Sequence, residues 1–185
     1  MIESVLVRKS VWMKALLAFG FSVLTGLAAQ IRIPLPFTPV PITGQTFVVL
    51  LTPFLIGSWS ILSQAVYVAL GAVGLPWFAG WNAGLNVVLG PTGGYLIGFI
   101  LASLFLSSYK KRSYFDKLIS MLLANFLIIH GLGLIQLTIW FYTKGSTPNF
   151  WKLISMSLLP FIPADLIKIF LASSITSLKF NPKKE

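Results

Sequence analysis

The chain has 185 residues, 56% of them hydrophobic and only 10% charged, with a formal net charge of +10. A soluble domain carries about 25% charged residues, so a chain with mean hydropathy +0.87 cannot cover a water-facing surface and is read as an integral membrane protein. The absence of cysteine excludes disulfides and thiolate metal sites. The basic residues flank apolar segments, as membrane topology requires, so no nucleic-acid partner is expected.

Apolar stretches at about 11–29, 43–57, 58–74, 92–108, 118–142 and 163–178 predict an all-α protein with six transmembrane helices in one domain, 1–185. A span needs about 17–25 residues, so the second and last are short and either tilt or pack against neighbours. On the first helix Ala18, Ser22 and Gly26 recur every four residues. Small residues at that spacing let another helix approach closely; the partner is a helix of this chain or another subunit. The apolar core here is long for a secretory leader, so the segment is kept as a helix.

Residues 31–42 contain four prolines. Proline fixes φ and removes a donor, so this segment is neither helix nor central strand but a stiff, extended, apolar cover. Thr43 and Gln45 follow it as polar candidates. Residues 74–94 are rich in glycine and tryptophan and lack charge. Irregular backbone at membrane depth is tolerated only when buried in protein or lining a cavity, which makes this segment a pocket wall; a loop dipping into the headgroup layer is the alternative. Its Asn82 and Asn86 offer amide donors and acceptors, suited to a urea or lactam-like ligand or to capping the loop. Gly90-Pro91-Thr92-Gly93-Gly94-Tyr95 turns the chain into the fourth helix. It lacks the Gly-Lys-Ser/Thr ending of a phosphate loop, so no intrinsic ATPase is expected.

His130 is the only histidine. Without a second ligand at metal spacing it makes no metal site, and an interhelical hydrogen bond is expected of it in preference to catalysis. Asp165 is the one acidic residue inside an apolar run, Leu158 to Leu171. An ionisable group there costs about 2.5–3.5 kcal/mol at a bilayer centre and marks a functional site. Lys168, three residues on, shares its helix face. Pro163 and Asp165 suit a first helical turn, so the last helix is expected to start at Pro163. There the ammonium can steady Asp165 or meet a substrate carboxylate; a pair that only orders packing is the plain alternative.

Six spans put both termini on one side, together with Arg8, Lys9, Lys14, Lys110, Lys111, Arg112, Lys117, Lys179, Lys183 and Lys184, against Arg32, Lys144 and Lys152 on the other. The positive-inside rule places both termini in the cytoplasm.

The segments Pro39-Val40-Pro41-Ile42-Thr43-Gly44-Gln45-Thr46, Gly71-Ala72-Val73-Gly74-Leu75-Pro76-Trp77-Phe78-Ala79-Gly80, Gly90 to Phe99, and Phe161-Ile162-Pro163-Ala164-Asp165-Leu166-Ile167-Lys168 together resemble the BioY family, the biotin-binding S components of energy-coupling-factor (ECF) transporters. The resemblance runs nearly the whole chain. It implies the ECF S-component fold in a bacterial cytoplasmic membrane and biotin held near the outer face. Asn82, Asp165 and Lys168 fall on the family's binding residues, and Tyr95 and Gln45 on its tyrosine and glutamine. Trp77, Phe78 and Trp81 suit the apolar body of biotin. Ala164 stands where the family usually has glycine, and Leu96 where some members place an arginine. Implied partners are membrane lipid, a transmembrane coupling protein met by the Ala18/Ser22/Gly26 face, and a pair of ABC-type ATPases. No cofactor and no catalysis are implied. An S component for another vitamin, a solitary or self-associating biotin transporter, an intramembrane enzyme using His130 or Asp165, and a structural membrane protein without ligand are the rival readings.

Overall fold

The computed structural model describes residues 10–109 and 113–178. The basic residues Arg8, Lys9, Lys110, Lys111, Arg112, Lys179, Lys183 and Lys184, which carry most of the topology argument, lie outside them. Helix α1, Val11–Gln30, begins at Ser10, whose hydroxyl accepts from the Met13 amide. A two-stranded antiparallel hairpin follows, β1 (Arg32–Ile33) with β2 (Ile42–Thr43), in the register Arg32–Thr43 and Ile33–Ile42. The proline-rich segment is the loop of this hairpin, as a chain short of donors allows. Then come α2 (Gln45–Ile56), α3 (Trp59–Ala72), a four-residue turn of helix α4 (Leu85–Val88) and α5 (Gly93–Ser108). Helix α6 (Tyr114–Leu123) runs through a π-helical turn, Ala124–Ile129, into α7 (His130–Thr143).

The last membrane segment departs from expectation. It begins at Phe150, capped by Asn149, whose side-chain Oδ1 accepts from the Lys152 amide at 2.9 Å. The result is α8 (Phe150–Ser157), a 3-10 turn at Leu159–Phe161, and α9 (Ile162–Ser177). Pro160 has no N–H to offer the Met156 carbonyl four residues back, so the helix must break here. Phe161 bonds instead to Leu158. The carbonyls of Met156 and Ser157 are thereby left for other partners.

Three stretches are long and apolar enough to cross a membrane: Val11–Gln30, Tyr114–Thr143 and Phe150–Ser177. The apolar helices α2, α3 and α5 have 12, 14 and 16 residues. At 1.5 Å per residue they reach about 18–24 Å, short of the ~30 Å hydrocarbon layer. Helix α1 packs on α3 and α2, α5 on α2, α3 and α7, and α9 on α2 and α6. The approach of α5 to α7 depends on Gly94: a Cβ there would lie 2.1 Å from the Leu132 carbonyl oxygen.

The small-residue stripe of α1 is consumed inside the chain. Ala18, Ser22 and Gly26 are buried. The Ser22 hydroxyl donates to the Ser63 carbonyl of α3 at 2.7 Å, and a Cβ on Gly26 would stand 3.1 Å from Trp77. This corrects the assignment of that face to a coupling protein: its neighbours are α3 and Trp77. The exposed side of α1 carries Trp12, Leu16, Phe19 and Leu27 instead. Ser22→Leu therefore overpacks a closed helix contact and should cost about 1–3 kcal/mol, read as a lower melting temperature of the detergent-purified protein. An unchanged melting temperature would contradict the packing described.

Candidate functional site

A cavity of about 350 Å³ lies where the N-terminal ends of α2, α5 and α9 converge. Val40, Phe78, Tyr95, Leu96, Phe99 and Phe161 supply its apolar wall, and Asn82, Asn86, Asp165 and Lys168 are among its polar lining. The size and the mostly apolar lining suit a small molecule. The cavity lies away from Lys117, whose ammonium donates to the Thr176 carbonyl at the opposite end of α9.

Asp165 sits in the first turn of α9, 1% exposed. Four side chains from three separate stretches of chain hold its carboxylate. Thr46 donates to Oδ1 at 3.3 Å and Lys168 at 2.8 Å. Asn125 donates to Oδ2 at 3.0 Å, and His130 Nε2 stands 2.7 Å from the same oxygen. A carboxylate has about four acceptor sites, so the buried charge is fully satisfied, and the positive end of α9 adds to its support. Lys168 spends its other two hydrogens on the Thr43 carbonyl at 2.7 Å and the Thr46 hydroxyl at 2.9 Å.

The π turn explains why Asn125 and His130 act together. Five residues apart in an α-helix, they would point about 140° away from each other. A π-helix bonds i to i+5 and brings both onto the face that meets α9. Asn125 and Thr46 as partners of Asp165 escaped the sequence reading; a lone amide five residues before a lone histidine was the available signal, and it speaks only once the π turn is known. His130 makes the interhelical bond expected of it. Its Nδ1 lies 2.8 Å from the Ser157 carbonyl oxygen freed by the helix break, which also accepts from the Tyr95 hydroxyl at 2.9 Å. The Thr38 hydroxyl takes the freed Met156 carbonyl at 2.8 Å, tying the proline-rich loop to α8. The imidazole thus faces an acceptor on each side, and both contacts form only when two protons are shared among the ring nitrogens and the carboxylate. A histidine–aspartate pair is present, but neither ring nitrogen is left to activate a nucleophile.

Of the residues expected at the site, Gln45, Phe78, Asn82, Tyr95, Asp165 and Lys168 line the cavity. Gln45 is internally bonded, donating to the Tyr67 hydroxyl at 2.7 Å and accepting from Thr43 at 2.9 Å. The Asn82 amide donates to the Ala79 carbonyl at 2.7 Å, which leaves its oxygen facing no partner among the described residues. Trp77 and Trp81 are corrections. The Trp77 indole donates to the Tyr67 carbonyl at 2.9 Å and packs behind the cavity wall. Trp81 sits at the tip of the turn closed by the Phe78–Asn82 bridge, at φ 59°, and is 66% exposed. Gln30 fixes this turn, donating to the Trp77 and Phe78 carbonyls and accepting from the Trp81 amide.

The BioY family model matches residues 4–182. The chain belongs to the BioY family. A biotin transporter BioY of Thermotoga maritima is 39% identical over 166 residues, 88% of this chain and 94% of that one. A probable biotin transporter BioY of Methanothermobacter thermautotrophicus is 46% identical over 124 residues, 64% and 79% of the two chains. A crystal structure of the S component for biotin from an ECF-type ABC transporter matches with a TM-score of 0.77 at 28% identity, covering 89% of each chain. This BioY-family member therefore has the S-component fold, as its residues implied.

His130→Phe keeps much of the ring volume among Phe126, Tyr95 and Phe161 but leaves the Asp165 carboxylate one partner short. An unmet buried polar group costs about 1–3 kcal/mol, so the ligand-free variant should melt at a lower temperature. A melting temperature equal to wild type would show that the carboxylate does not depend on the imidazole.

Proposed function

We propose that this chain is the biotin-capturing S component of an ECF-type uptake system in a bacterial cytoplasmic membrane. The observation that carries the reading is a buried, fully oriented carboxylate at the floor of an apolar cavity. Biotin has a ureido ring, an apolar thiophane body and a carboxylate tail. A ureido N–H can take the place of the Thr46 hydroxyl on Asp165, whose 3.3 Å contact is the longest of the four. The free oxygen of Asn82 and the amide of Asn86 are acceptors and donors for the rest of the ureido group. Phe78, Tyr95 and Phe99 flank the thiophane. Nanomolar binding, about −12 kcal/mol, spread over about 16 heavy atoms is roughly 0.8 kcal/mol per atom, within the ~1.5 ceiling for small ligands. That demands enclosure, which the proline-rich loop latched to α8 supports.

We read the chain as one membrane domain with both termini in the cytoplasm. Lys14, near the start of α1, and Lys117 lie towards the end away from the cavity, so the cavity faces outward. A coupling protein and an ATPase pair are the partners that the S-component fold calls for, with no ATPase motif in this chain.

Calorimetry on detergent-purified protein should show biotin binding without binding of riboflavin or thiamine; selective binding of another vitamin would reassign the ligand. Asp165→Asn turns one acceptor oxygen into a donor that opposes both a substrate N–H and its present neighbours. It should weaken biotin binding more than tenfold, over ~1.4 kcal/mol. Unchanged affinity in the folded variant would remove Asp165 from the contact.

A further inference from the structure

Two permanent cations line the cavity, and only one has donors to spare. The three ammonium hydrogens of Lys168 meet three acceptors, the Thr43 carbonyl, the Thr46 hydroxyl and Asp165 Oδ1. An ammonium offers no fourth, so a ligand carboxylate reaches Lys168 only by breaking one of these bonds, two of them at 2.8 Å or less. The His130 nitrogens are likewise engaged. Arg32 lines the same cavity, and its guanidinium, with five N–H donors, joins no other described residue by hydrogen bond or ion pair.

The place of this guanidinium is built into the backbone. Arg32 pairs with Thr43 across the hairpin, and directly paired residues point to one face of the sheet; Thr43 also lines the cavity. Gly80 seats the head group. A Cβ there would lie 2.5 Å from Arg32 Nη1 and 2.7 Å from Cζ, and φ +77° excludes most side chains in any case. Asp165 marks the buried floor of the cavity, whereas Arg32 is exposed at its mouth.

We propose that Arg32 anchors the carboxylate tail of the ligand, and that Lys168 is committed to holding Asp165. This rests on the biotin reading and fixes its direction, ureido ring inward and tail toward the hairpin. A guanidinium meets a carboxylate with two parallel N–H bonds, which a lysine cannot reproduce. Calorimetry of wild type, Arg32→Gln and Arg32→Lys against biotin and against biotinamide, whose tail is uncharged, separates the possibilities. Arg32→Gln should weaken biotin about tenfold or more and leave biotinamide within twofold of wild type, which also shows that the variant is folded. Arg32→Lys should recover part of the biotin affinity. Equal loss for both ligands, or loss for neither, overturns the role of Arg32 while the biotin reading stands. Wild type that binds neither ligand overturns the biotin reading and this proposal with it.

Discussion

A single negative charge inside an apolar bundle is the constraint on which the rest of the structure depends. An uncompensated buried carboxylate is far more expensive than any one packing contact, so the chain must bring enough donors to Asp165. They come from the start of α2, from the π turn, from the start of α7 and from α9 itself. Each requires its element to arrive at a defined height. Asp165 therefore acts as a register pin between α2, α9 and the helix that carries the π turn.

The irregular features of the fold serve the same point. The break at Pro160 leaves two carbonyls that Thr38, Tyr95 and His130 then use. The π turn places Asn125 and His130 on one face. Helices too short to span the layer leave room for a cavity at one end, closed by the hairpin and by the turn that Gln30 holds. Local departures from regular helix, each of which would cost stability alone, are here paired with a partner that satisfies the exposed backbone group. The outcome is a preorganised polar floor beneath an apolar chamber, which limits the reorganisation needed when a ligand enters.

Much of this was legible from residue order. The six apolar stretches, the Asp165–Lys168 pair, the proline-rich cover and the aromatic wall follow from period, composition and the chemistry of proline. What escaped was the consequence of local geometry. The segment from Phe150 carries Lys152, Ser155 and Ser157 within eight residues, too short and too polar to be read as a span, and α8 was not foreseen. Asn125 and His130 are five apart, a spacing that points to different faces until a π turn is inserted. Trp77 and Trp81 look alike in sequence, yet the left-handed residue at the turn tip sends one to the exterior and Tyr67 holds the other behind the wall. The stripe Ala18, Ser22 and Gly26 announces a close contact without saying with what, and the answer lay within the chain.

The central claim is that Asp165, held by protein donors at the cavity floor, receives the ureido group of biotin. The most direct measurement is an experimental structure of the purified protein with biotin bound. The account predicts the ureido nitrogens within hydrogen-bond distance of the Asp165 carboxylate, with His130, Asn125 and Lys168 still in place around it. Biotin bound with its ureido ring away from Asp165, or bound elsewhere on the protein, would contradict it.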